Sequence, residues 1–176
     1  MKTKVFILAM LLSTGAGLAF AADPATAKPE SQVAVVYVDP EKFTDVKQEN
    51  WTENSTNLLD QLKEFMTETG ARYVPAGMHL EIKVTDVDLA GDFEPWRGPD
   101  FDHVRVIKDI YPPRIKLEFS LTDEKGKVVS SGKRALTDLA YQMRSTTILP
   151  RDDYLRHEKE LLRDWFYDEF NSLRKG

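Results

Sequence analysis

Arg114-Ile115-Lys116-Leu117-Glu118-Phe119-Ser120-Leu121 alternates polar and apolar residues without a break. Successive side chains of a strand point to opposite faces, so Ile115, Leu117, Phe119 and Leu121 line one face and their neighbours the other. Asp123-Glu124-Lys125-Gly126 follows, a turn sequence with glycine where a positive φ is wanted. The chain then returns as a strand from Lys127 to Leu136. A hairpin with one wet face and one apolar face is the antiparallel habit. It needs a cover for its apolar side.

Upstream, Leu80, Ile82, Val84 and Val87 interleave with Glu81, Lys83, Thr85 and Asp86. This predicts a half-buried strand over about Met78 to Leu89, with a slip near Asp86. Ala90 to His103 reads as a long polar loop, and Val104-Arg105-Val106-Ile107 as a short strand. Val33 to Val38 is β-branched and largely apolar, which predicts a first strand central in the sheet. Asp39-Pro40 ends it.

Two helices supply the cover. The first is expected over Asn50 to Thr69, with Asn50 and Glu53 as a capping box and Gly70 as its stop. Leu58, Leu59, Leu62, Phe65 and Met66 share one face of it. The second is expected over Asp153 to Leu173. Leu155, Leu161, Leu162, Trp165, Phe166, Phe170 and Leu173 form its stripe, with Arg156, Glu160, Arg163, Asp164 and Glu169 largely off it. Its polar face carries both signs of charge, which favours a sheet cover over a membrane-surface helix. The expected fold is α+β: a mostly antiparallel four-stranded sheet in the order β-α-β-β-β-α, with two amphipathic helices packed on one face.

The N-terminus carries an address. Lys2 and Lys4 precede an uncharged apolar run from Val5 to Phe20, and Ala19-Phe20-Ala21 closes it with a small-x-small pattern. Basic, apolar and cleavage regions in that order make a secretory signal peptide, with the cut expected after Ala21. The run is shorter than the roughly 20 residues of a spanning helix. The expected organisation is a cleavable signal peptide at 1–21, a flexible lead-in at 22–32, and one α+β domain at 33–176. Loss of Lys2 and Lys4 takes the formal charge from −5 to −7. Such a domain is repelled on average by nucleic acid and by anionic membrane surfaces. The chain has no cysteine, so thiolate chemistry, disulfides and a lipidated N-terminal cysteine are excluded.

Catalytic motifs occur only in fragments. Ser130-Ser131-Gly132-Lys133 matches S-x-x-K without the partner elements that acyl-transfer enzymes need. His157-Glu158 begins a zinc-protease helix, but Leu161 stands where the second imidazole belongs. No phosphate loop, dinucleotide fingerprint or nucleophile elbow is present, so no catalytic residue and no cofactor is expected.

The densest polar stretch runs from Thr85 to Arg114. Asp86-x-Asp88-x-Ala90-Gly91 opens like an EF-hand loop, yet Ala90 and Arg97 occupy ligand positions. An irregular site for a hard cation such as Ca²⁺, using Asp92, Asp100 and Asp102, is one alternative. A carboxylate-dependent hydrolase built on Asp100 and Asp102 is a weaker one. The leading reading is a surface for a partner or ligand, formed by Trp96, Arg97, Asp100, Phe101, Asp102, Arg105 and Arg114. Trp96 and Phe101 would be its anchors.

Val84 to Asp92, Arg97 to Val106 and Asp109 to Ile115 together resemble blocks of the bacterial exported-protein family known as domain of unknown function 3016. Leu136 to Leu139 and Glu158 to Phe166 resemble its later blocks. The resemblance spans nearly the whole chain after the leader. It implies a periplasmic setting in a Gram-negative envelope and brings no catalytic assignment. The expected function is that of a non-enzymatic periplasmic protein. Its partner would be another envelope protein or a small ligand, with no nucleic acid and no stable membrane span once the leader is removed.

Overall fold

The computed structural model describes residues 32–45, 54–98, 104–144, 149–150 and 152–175. The leader, its cleavage site and the Asn50/Glu53 capping box lie outside the described residues. So do Asp100, Phe101 and Asp102.

The alternating strands form as the sequence predicts. β2 (His79–Asp88) pairs antiparallel with β5 (Arg114–Thr122), placing Leu80 opposite Leu121, Ile82 opposite Phe119 and Val84 opposite Leu117. All six are buried. The register then shifts between Val84 and Asp86. The extra residue, Thr85, keeps Val87 on the inner face opposite Ile115, although an unbroken strand would turn it outward. β6 (Val128–Thr137) pairs antiparallel with β5 across the 123–126 turn, where Gly126 has φ +76°.

β1 (Val33–Tyr37) departs from expectation. It lies at the edge of a sheet ordered β1-β2-β5-β6, and it runs parallel to β2 with Val33 opposite Leu80 and Tyr37 opposite Val84. The sheet is therefore mixed. Val33 and Val35 are buried in the core and Tyr37 packs against it, while Val36 and Val38 are exposed. The β-branched run suggested a central strand; half its side chains face water instead. The parallel pairing follows from α1 (Asn54–Tyr73), which carries the chain over the sheet between the two strands.

α1 runs through Gly70 instead of stopping there. A Cβ at Gly70 would lie 3.0 Å from a Val33 methyl and 3.1 Å from the Phe166 ring. The glycine is a close-approach residue between α1, β1 and the second helix. The helix ends where Pro75 disfavours the helical conformation of the residue before it.

α2 (Arg156–Phe170) is shorter than expected at both ends and continues as a 3₁₀ segment, Asn171–Lys175. Its stripe packs on the same sheet face as α1. Trp165 and Phe170 meet Phe119 edge-on at 5.8 and 5.5 Å, and Phe166 stacks on Tyr73 of α1 at 6.2 Å. Glu160, expected on the wet face, is buried.

The region expected as a long loop has structure of its own. β3 (Asp92–Phe93) and β4 (Arg105–Val106) form a small separate hairpin, with a 3₁₀ turn at Pro95–Arg97. The short strand is thus two residues, not four. The element order is β-α-β-β-β-β-β-α, the two small strands inserted between β2 and β5.

Candidate functional site

The hairpin is tied to the domain at the turn Leu89-Ala90-Gly91. Gly91 has φ +82°, and a Cβ there would meet the Ile107 side chain at 2.6 Å and the Val106 carbonyl at 2.8 Å. Only glycine satisfies both the dihedral and the approach.

Three buried charges hold this turn. Arg105 of β4 donates from Nη1 to the carbonyls of Gly91 at 2.6 Å, Ala90 at 3.2 Å and Leu89 at 3.3 Å. Its Nη2 lies 2.9 Å from Asp45 Oδ1, and its guanidinium stands over the Phe93 ring at 5.1 Å. Asp45 accepts the Leu89 N–H through its other oxygen. Glu158, on the first turn of α2 and 1 % exposed, accepts the Ala90 N–H at 2.7 Å. Its second oxygen has no hydrogen-bond partner among the described residues. Side chains from distant elements thereby meet the Leu89 and Ala90 N–H groups and all three carbonyls of the turn, while the Gly91 N–H donates to the Tyr111 carbonyl at 3.0 Å.

Two buried carboxylates, Asp45 and Glu158, feel the charge of one guanidinium. Burial pushes Glu158 up to about 7, against the pull of the Ala90 N–H and Arg105. Burial also raises Asp45, although Arg105 and the Leu89 N–H oppose it. The pair carries less than two negative charges at neutral pH.

A second polar node lies beneath the 3₁₀ turn. Glu94 is buried and accepts from Lys108 Nζ at 2.5 Å and the Tyr111 hydroxyl at 3.1 Å, with Arg97 Nε at 2.7 Å. The Lys108 hydrogen bond leads in holding its carboxyl below the usual range. The buried Tyr141 hydroxyl donates to the Lys108 carbonyl at 2.7 Å. The Glu94 node thus joins the hairpin to the segment after β6.

Of the residues expected at a partner surface, Trp96 is 71 % exposed on this locked turn. Arg97 is partly exposed beside it. Arg114 pairs with Asp88 at 2.9 Å on the outer face of the sheet. Arg105 corrects the expectation: its side chain turns inward, because Asp45 and three carbonyls surround it. Asp92, from the cation alternative, accepts the neighbouring Phe93 N–H at 2.7 Å. No group of three or more acidic or histidine side chains able to hold a metal occurs among the described residues. Asp45, Glu94 and Glu158 were missed as site residues. Glu158 left a trace: it falls between Leu155 and Leu162 on the apolar stripe, where an acid is out of place.

Two cavities flank the turn, one of 330 Å³ reaching Arg156 and His157, the other of 210 Å³ reaching Asp88 and Arg114. No described helix is long and apolar enough to cross a membrane.

These features define a small α+β domain with a mixed sheet, two covering helices and a charge-anchored hairpin. The chain belongs to the family described as Protein of unknown function (DUF3016), whose profile matches residues 31–168. No curated protein matches the sequence. A crystal structure of a minor lipoprotein from Acinetobacter baumannii is similar over 80 % of this chain and 90 % of its own, at 10 % identity and a TM-score of 0.26.

Proposed function

We propose that this is a non-enzymatic periplasmic protein that binds an envelope protein partner through the outer surface of the 91–114 segment. The export signature at 2–21 motivates the compartment. One observation supports the surface above the rest: the Trp96 indole stands in solvent on a turn fixed from beneath by the buried Glu94–Lys108–Tyr111 node. Ile110, Leu139 and Met143 are exposed as well. They extend from segments that the Tyr141–Lys108 hydrogen bond joins. Large apolar side chains held rigid in water are the usual anchors of a protein interface, since little conformational freedom is lost when they dock.

A photo-crosslinking amino acid placed at position 96 tests this reading in living cells. A discrete adduct is expected at 96 and at 110, and none at Lys83 on the open sheet face. Ile110→Ala should remove the adduct at 96 without changing the melting temperature. No adduct at either position, or equal adducts at Lys83, would sink the reading.

A further inference from the structure

The 330 Å³ cavity is lined by Leu89 and Ala90 of the 89–91 turn and uses none of Trp96, Ile110, Leu139 or Met143. Its volume is at the small end for ligand sites. Leu89, Ala90 and Ile107 give it an apolar wall, and the Tyr154 side chain adds an aromatic one. Two opposite charges stand at its border, Arg156 and Asp152.

Among the other polar groups there, Asp153 and Arg105 are already engaged, while His157 Nδ1 has no hydrogen-bond partner among the described residues. Asp153 pairs with Lys159 at 2.7 Å and accepts the Leu155 N–H at 2.9 Å. Arg105 is turned to Asp45. Burial, and then the Arg156 charge, push the His157 pKa below its usual value, which disfavours a positive charge on its ring. Arg156 makes one side-chain contact, to His157 Nε2 at 3.3 Å, and neither Arg156 nor Asp152 forms an ion pair among the described residues. A guanidinium in this state is suited to a carboxylate, which it binds through two parallel hydrogen bonds. The Asp152 carboxylate, in the same lining, is suited to an ammonium.

We propose that this cavity binds a small zwitterion with an apolar body, the class of apolar amino acids and their dipeptides, with its carboxylate on Arg156 and its ammonium at Asp152. The apolar body then lies against Leu89, Ala90 and Ile107.

Calorimetry on the purified full chain, with leucyl-leucine as the probe, decides the matter. Saturable binding with a Kd of about 1 mM or tighter is expected. N-acetyl-leucine lacks the ammonium and leucinamide lacks the carboxylate, so each should bind about tenfold more weakly or worse. Arg156→Gln and Asp152→Asn should weaken leucyl-leucine by a similar factor while the ligand-free melting temperature holds. Should either variant lose its cooperative melt, Ile107→Trp fills the cavity from its exposed rim, and must abolish binding. No saturable heat up to about 10 mM overturns the proposal. So does equal binding of the blocked compounds, or binding that survives all three substitutions.

Discussion

Glu158 sits where an acid pairs with one backbone N–H and is otherwise walled from water. Its carboxyl titrates near 7 in the folded protein and near 4.5 in the unfolded chain. The sign follows from proton counts. Between pH 4.5 and 7 the folded state holds a proton that the unfolded state has released, so stability falls as pH rises through that window. It is fully present below 4.5 and levels off above 7. The difference amounts to about 3 kcal/mol. Glu158→Gln keeps the acceptor for Ala90 and removes the charge. Urea denaturation of the variant should show a flatter profile from pH 5 to 8 and greater stability than the parent at pH 8. A parent profile that rises with pH across the window would contradict the assignment of a buried, proton-binding carboxyl.

At the scale of elements, close approach decides the packing. Gly70 lets α1 lie against Val33 of β1 and Phe166 of α2 at once. Gly70→Leu should cost about 1–3 kcal/mol, the usual range for overpacking, and lower the melting temperature without removing helical circular dichroism. β6 was legible because the 123–126 turn sends the chain back beside β5, and β2 and β5 because period two is visible over eight to ten residues. The apolar stripes of both helices were legible for the same reason at period 3.6. The direction and place of β1 were not. Val33 to Val38 shows β-branching, but neither the parallel neighbour nor the open edge leaves a mark in its own residues. β3 and β4 are too short for any period to show. Their pairing depends on Arg105 reaching Asp45, sixty positions earlier, and no local pattern encodes that contact. Trp96 stood out in the sequence as an indole in a polar segment, and it is exposed. Arg105 was misjudged, since a charge in a polar segment reads as solvated.

For the molecule as a whole, the hairpin is inserted between two strands, β2 and β5, that pair with each other directly. Asp88 and Arg114 already face each other as the last pair of β2 and β5. A two-residue Asn-Gly turn in place of residues 89–113 would close them into an ordinary hairpin. Removing Arg105 strands two buried acids, so the deletion should be combined with Asp45→Asn and Glu158→Gln. This shortened protein is expected to unfold cooperatively with native far-ultraviolet circular dichroism, and to lose the zwitterion binding. A molten or insoluble product would instead make the hairpin part of the folding unit.

β6, at the far edge of the sheet, has a guard against its own kind. Ten residues of unpaired strand edge are a template on which another chain can add. Arg134 folds over the Phe119 ring at 5.1 Å and grips both oxygens of Glu169 at 2.8 Å. Lys133 beside it reaches Glu118 at 2.5 Å. An incoming strand would have to break the first contact and bury both cations. A second chain is thereby hindered from extending the sheet, and the outermost strand stays the last one.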